Sequence, residues 1–139
     1  MSPKEFLTQA AETEREILRR EERVRALRRM ASRLSARLRD VRVQTSPDPG
    51  RTQELLAEAA DEETEVNRLR EERAALLAEI ALTISRVPDP VLARLLEYRY
   101  LENKGWPEIA GRLRVSERYA YRLHREALDS LPVPPAPRD

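Results

Sequence analysis

The sequence contains no cysteine, and that absence removes disulfide staples, thiolate metal ligands and cysteine nucleophiles together. With three glycines in 139 residues it has no glycine-rich phosphate loop. Aromatics are scarce, with one Phe and one Trp, so little apolar area is available for a large core. The longest apolar run, residues 74–84, is broken by Glu79 and is too short to span a bilayer. The opening Ser2-Pro3-Lys4-Glu5 lacks the apolar centre of a signal peptide. These absences lead to the expectation of a soluble, cytoplasmic protein that makes no use of a membrane.

What the chain has in abundance is Ala, Leu, Glu and Arg, with 37% of its residues charged. That balance predicts an all-α fold of elongated helices with much of each helix facing water. The length suits one compact domain, or one small domain carried on an extended element. The net charge of +1 argues against a nucleic-acid binder that works by bulk charge alone, but the charges are unevenly distributed. Residues 1–43 hold 12 basic and 7 acidic side chains, and residues 52–87 hold 4 basic and 9 acidic. The two front segments are therefore electrostatic complements.

Ser2-Pro3 carries a helix-start signal, a capping hydroxyl followed by proline in the first turn. After it Phe6, Ala10, Thr13, Ile17, Arg20, Val24, Leu27, Ala31, Leu34, Leu38 and Val41 recur at alternating spacings of four and three, which predicts a coiled-coil helix over about 3–41. Residues 44–50 (QTSPDPG) predict a turn. A second helix is expected over 52–87, with Leu55, Ala59, Glu62, Val66, Leu69, Arg73, Leu76 or Leu77, Ile80, Ile84 and Val87 on its stripe. Folded about the turn, residues 1–87 form a long antiparallel hairpin of about 50 Å. Leu38 then pairs with Ala59, Leu34 with Glu62, Ala31 with Val66, Leu27 with Leu69, Val24 with Arg73, Ile17 with Ile80 and Thr13 with Ile84. Arg20, Glu62 and Arg73 interrupt the stripe, so the hairpin calls for a third helix, a partner or self-association, and a homo-oligomer is expected.

Val87-Pro88-Asp89-Pro90 ends the second helix and opens a unit over 88–131. A helix from Pro90 to about Asn103 is expected to place Val91, Leu92, Leu95, Leu96 and Tyr100 inward, closed by Lys104-Gly105. Trp106-Pro107-Glu108 begins a short helix ending near Leu113, and Ser116 caps a last helix to about Leu131 with Glu117 well placed for its dipole. The tail, residues 132–139 (PVPPAPRD), is expected to be extended or disordered.

The segment 108–128 has the spacing of a helix-turn-helix. Ile109, Ala110, Leu113, Val115, Ala120 and Leu128 supply a shared apolar seam, with Ala110 small enough for close backbone approach. The last helix then presents Glu117, Arg118, Tyr119, Tyr121, Arg122 and Arg125, guanidinium forks and amphipathic rings suited to phosphates and base edges. Residues 109–125 hold five arginines against one acid. A charged face of this kind is more often plain solvated surface. Here the apolar and capping spacing favours DNA binding, with Arg118, Tyr121 and Arg122 on bases and Arg112, Arg114 and Arg125 on phosphates, beside Ser116 and Tyr119. His124, the only histidine, has no second ligand type nearby and is expected to contact phosphate or stand on the surface. The acidic pairs Glu21-Glu22, Glu62-Glu63 and Glu71-Glu72 are expected to be solvated or paired with arginines. No enzyme, metal or cofactor is implied. Trp106 and Tyr100 are expected to anchor a small core.

Residues 106–128, WPEIAGRLRVSERYAYRLHREAL, closely resemble region four of the primary sigma factors, whose Glu-Ile-Ala, Leu, β-branched and Ser-Glu pattern opens the helix that reads a promoter element. Lys4-Glu5-Phe6-Leu7, Val41-Arg42-Val43-Gln44-Thr45-Ser46, Arg99-Tyr100-Leu101-Glu102, Ser116-Glu117-Arg118 and Tyr121-Arg122-Leu123-His124 extend the likeness to the whole chain. Together they look like a family of short phage and prophage proteins with a sigma-like C-terminus. The resemblance implies a DNA-binding transcriptional regulator, with double-stranded DNA and RNA polymerase as partners. Two alternatives stay open: a protein that binds polymerase or another phage factor through the hairpin, and a small terminase-like subunit that recognises a packaging site. Many helix-turn-helix units have glycine where this chain has Arg114, so the turn must change its backbone or hold a left-handed residue at some cost. No segment resembles the sigma region that melts DNA, so a complete sigma factor is not expected.

Overall fold

The computed structural model describes residues 1–40 and 49–133. Among these it is all-α, without a strand. The long helices are α1, Pro3–Asp40, and α2, Pro49–Ile84. Then come α3, Pro90–Leu96, which runs on as a π-helical turn over Glu97–Leu101, α4, Trp106–Leu113, and α5, Glu117–Ser130. The expected end of the first helix at Val41, turn residues 44–48 and tail residues 134–139 lie outside the described residues. No helix among those described is long and apolar enough to cross a membrane.

Local chemistry explains these bounds. The Ser2 hydroxyl accepts the Glu5 amide at 3.1 Å while the Glu5 carboxylate accepts the Ser2 amide at 3.4 Å, a reciprocal cap. The second helix starts at Pro49 rather than at Thr52, as expected from the sequence. Proline is at home in a first helical turn, where its missing amide has no partner to lose, so Pro49-Gly50 open the helix instead of extending the turn. Asp89 caps α3 by accepting the amides of Val91 at 2.8 Å and Leu92 at 3.4 Å.

The chain divides into two compact units. One is Glu12–Arg73, in which α1 and α2 run antiparallel: rising positions on α1 meet falling positions on α2, from Glu14 with Arg73 (2.8 Å) to Arg20 with Glu62 (3.1 Å) and Arg23 with Glu58. Its buried contacts correct the expected register. Leu27 and Val24 cluster with Ala59, not with Leu69 and Arg73, and Ile17 clusters with Val66 and Leu69, not with Ile80. The slip is about three helical turns. In the expected register Glu62 would face Leu34 and Arg73 would face Val24, leaving two charges against apolar side chains. In the observed one Glu62, 18% exposed, accepts from Arg20 and lies 3.6 Å from Arg23, and Arg73 pairs with Glu14. Exposed pairs contribute little stability each, but misaligning them is costly enough to choose among apolar registers that a heptad pattern leaves equivalent.

The other unit is Met1–Ala11 with Ala74–Asp139. Its core joins Phe6, Leu7 and Ala10 of α1, Ile80 and Ile84 of α2, Val87, Leu92, Leu95, Leu96 and Tyr98, Ile109, and Leu123, Ala127 and Leu131. Three short helices have too little apolar area to stand alone, and the ends of the long helices supply what they lack. Thr83 is buried with them, its hydroxyl donating to the Glu79 carbonyl at 2.8 Å. Val91, expected on the inner face, is exposed, because Leu92, Leu95 and Leu96 define a stripe whose centre lies about 100° away from it. The break before α4 falls where expected, after Leu101, and its left-handed residue is Asn103 at φ 54°, while Gly105 is extended and precedes α4. Asparagine tolerates this region better than most residues, and here the Lys104 amide reaches back to the Tyr98 carbonyl at 2.9 Å.

Candidate nucleic-acid interface

The segment from α4 to α5 is built around its turn. The Val115 amide donates to the Ala110 carbonyl at 3.0 Å and the Arg114 amide to the Gly111 carbonyl at 3.3 Å, the paired closure of a Schellman motif. That closure requires a left-handed residue, and Arg114 supplies it at φ 58°, ψ 47°. Of the two outcomes open to the sequence, the chain holds the left-handed residue. Two residues on, the Ser116 hydroxyl accepts the Tyr119 amide at 3.1 Å and starts α5.

α5 packs against α3 and α4 through Ala120, Leu123 and Ala127. Ala110 and Ala120, one on each helix, are both buried and small. Of the expected seam, Ile109, Ala110 and Ala120 are buried and Leu113, Val115 and Leu128 partly so. Leu123 and Ala127 were missed, although their spacing of three and seven from Ala120 marks the same face.

The face of α5 opposite this core carries most of the residues expected to contact DNA. Ser116, Arg118, Tyr119, Tyr121, Arg122 and Arg125 line one open depression. Tyr119 and Tyr121 are about half exposed, at 47% and 50%. Arg118, Arg122 and Arg125 follow the spacing of four and three along a single ridge. Arg112 and Arg114 stand apart from this group. Arg112 lies 3.3 Å from the Glu108 carboxylate and 5.8 Å from the Tyr98 ring centre, so its charge is already engaged within the unit. Arg114 points from the turn and is exposed.

Charge pairing separates this face from the middle of the hairpin. Arg19, Arg20, Arg23, Arg25, Arg28, Arg29, Arg68, Arg70 and Arg73 of the long helices each meet a carboxylate. Arg114, Arg118, Arg122 and Arg125 meet none among the described residues. Glu117 at the first turn favours the helix dipole, and exposed Glu126 and Asp129 follow Arg125 toward the C-terminal end of α5.

Behind this face lies an aromatic ladder. The Trp106 ring is 4.9 Å from Tyr121 and 4.8 Å from His124, measured between centroids. His124 Nε2 and the Tyr100 hydroxyl are joined by a 2.7 Å hydrogen bond. The Arg99 guanidinium lies 5.0 Å from the Trp106 ring centre and donates to the Lys104 carbonyl at 3.1 Å. Trp106 and Tyr100 pack against the core as expected. His124 does not stand on the surface or reach toward phosphate: it is a half-buried partner of both rings. Burial, reinforced by the positive charges of Arg99 and Lys4, pushes its pKa down to about 4, so the ring is neutral at pH 7. Burial also raises the Tyr100 phenol above its ordinary range. Tyr121 and His124 stand three apart and therefore share a helix edge, but which rings meet them across the fold is not written in local spacing. Comparison with protein-family models, curated proteins and solved structures found no match to this chain.

Proposed function

We propose that this chain is a non-enzymatic, DNA-binding regulator of transcription, acting in the cytoplasm, in which α4 and α5 form a helix-turn-helix and the N-terminal part of α5 enters the major groove. The observation that supports it best is the ridge of Arg118, Arg122 and Arg125, which meets no carboxylate among the described residues, beside two exposed tyrosines, in a protein many of whose long-helix arginines are paired. Buried small residues where the helices cross, the tight left-handed turn and the Ser116 cap are the features such a unit needs to hold its second helix rigidly. The likeness of residues 106–128 to region four of the sigma factors supports the same reading, with a phage-type regulator as the class and polymerase as a further partner.

One unit with few phosphate contacts binds DNA weakly at physiological salt, and two linked units gain through effective concentration. Self-association through the hairpin therefore belongs to this reading. The test is retention of random fragments of the surrounding genome by the purified protein at two salt concentrations, with Arg122→Ala as control. Selective, salt-dependent retention lost in the variant is the expected result. Copurification of polymerase with no retained DNA would favour the interaction-protein alternative, and a ring-sized assembly would favour the packaging one.

A further inference from the structure

A second basic surface lies outside the α5 face. On α1, residues 23–39 hold seven arginines and no acid. Arg23 and Arg28 turn toward α2 and meet Glu58, Glu62 and Glu63. Arg25, Arg29, Arg33 and Arg37 do not. They are spaced by four, all are exposed, and they run along the side of α1 opposite the buried Val24, Leu27 and Ala31. Among the described residues, the one carboxylate touching this ridge is Glu22, shared by Arg25 at 2.8 Å and Arg29 at 3.4 Å. Arg33 and Arg37 pair with no carboxylate among the described residues.

A solvated helix face without a partner gains from interspersed carboxylates at spacings of three or four, the arrangement found elsewhere in this unit, where Arg68 lies between Glu65 and Glu72. The ridge abandons it. Four guanidiniums at steps of about 6 Å span about 18 Å of helix, with small Ser32 and Ala36 beside them. Among the described residues the large apolar side chains bordering the ridge are Met30 and Leu34, too few for the apolar face that an interfacial membrane helix buries.

We infer that the Arg25, Arg29, Arg33 and Arg37 ridge of α1 is a second nucleic-acid contact, a sequence-independent one that holds the sugar-phosphate backbone of duplex DNA. Guanidinium forks engage phosphate oxygens in pairs and read no base edge, so this surface adds affinity and salt dependence without specificity. It is independent of the α5 reading, since either surface can bind if the other does not.

The test uses the full chain, with Arg33→Ala/Arg37→Ala as the ridge variant and Arg118→Ala/Arg122→Ala as the α5 variant. Binding to a random-sequence duplex is titrated by fluorescence anisotropy across a salt series, and circular dichroism melts check folding. The two ridge arginines are exposed and meet no carboxylate among the described residues, and alanine is the better helix former. Loss of two phosphate contacts lowers the slope of log K against log salt by about 1.8. The result expected is that reduction in the ridge variant and again when it is combined with the α5 variant. Arg33→Lys/Arg37→Lys should keep most of the slope, because charge rather than packing is at work. A ridge variant with wild-type affinity and slope overturns the inference whatever the α5 variant does. So would tight binding of the wild type to anionic vesicles, lost in the ridge variant, with no change on DNA.

Discussion

Replacing Arg114 by glycine should stabilise the unit that contains α4 and α5, although it removes a long side chain. Arg114 sits at φ 58°, ψ 47°, where a Cβ crowds the following carbonyl. That conformation costs an L-residue about 1–2 kcal/mol. Glycine escapes the cost but gives the unfolded chain more freedom, worth about 0.4–1 kcal/mol. The net expectation is a gain of about 0.5–1 kcal/mol. Alanine makes the comparison sharp: Arg114→Ala keeps the Cβ and the strain, so it should be no more stable than the parent, and the glycine variant should exceed it by about 1 kcal/mol. Urea unfolding followed by the fluorescence of Trp106, the sole tryptophan, reports on this unit. Equal stabilities for the glycine and alanine variants would refute the left-handed turn. If Arg114 also meets phosphate, the stabler glycine variant should bind duplex DNA with a shallower salt dependence.

Three more outcomes follow from individual contacts. Ser116→Ala removes the acceptor for the Tyr119 amide and should cost about 1 kcal/mol in the same unfolding assay, with Ser116→Asp close to the parent. His124 has a native pKa below its unfolded value, so between about pH 6.5 and pH 4 the unfolded state binds the extra proton; stability should fall as pH falls through that window, and His124→Phe should flatten this part of the pH–stability curve relative to the parent. In the unit Glu12–Arg73, a double-mutant cycle on Arg20 and Glu62 should show that the second truncation costs less than the first, whereas strictly additive effects would contradict the register.

Several helix starts were legible because they rest on local chemistry. Ser2 with Glu5, Pro107 in the first turn of α4 and Ser116 before α5 each announce themselves within a few residues. The arginine face of α5 was legible for a similar reason: Arg118, Arg122 and Arg125 fall on one ridge of any helix that buries Ala120. The register of α1 and α2 was not, because a heptad stripe matches itself after every two turns and only long-range pairs such as Arg20 with Glu62 select one alignment. Lys104-Gly105 was read as the close of the helix before α4, while the left-handed residue there is Asn103, after the π-helical turn. His124 was read as polar surface because its partners, Tyr100 and Trp106, lie 24 and 18 positions away in the chain.

The central claim is that α5 carries the DNA-reading face, and the most direct measurement of it is the affinity of the full chain and of Arg122→Ala for a duplex selected from its own genome, set against a scrambled duplex at fixed salt. The account predicts that the variant loses about 1–3 kcal/mol on the selected duplex and little on the scrambled one, so that discrimination collapses. Undiminished discrimination by Arg122→Ala, with Arg118→Ala and Tyr121→Ala equally silent, would contradict it.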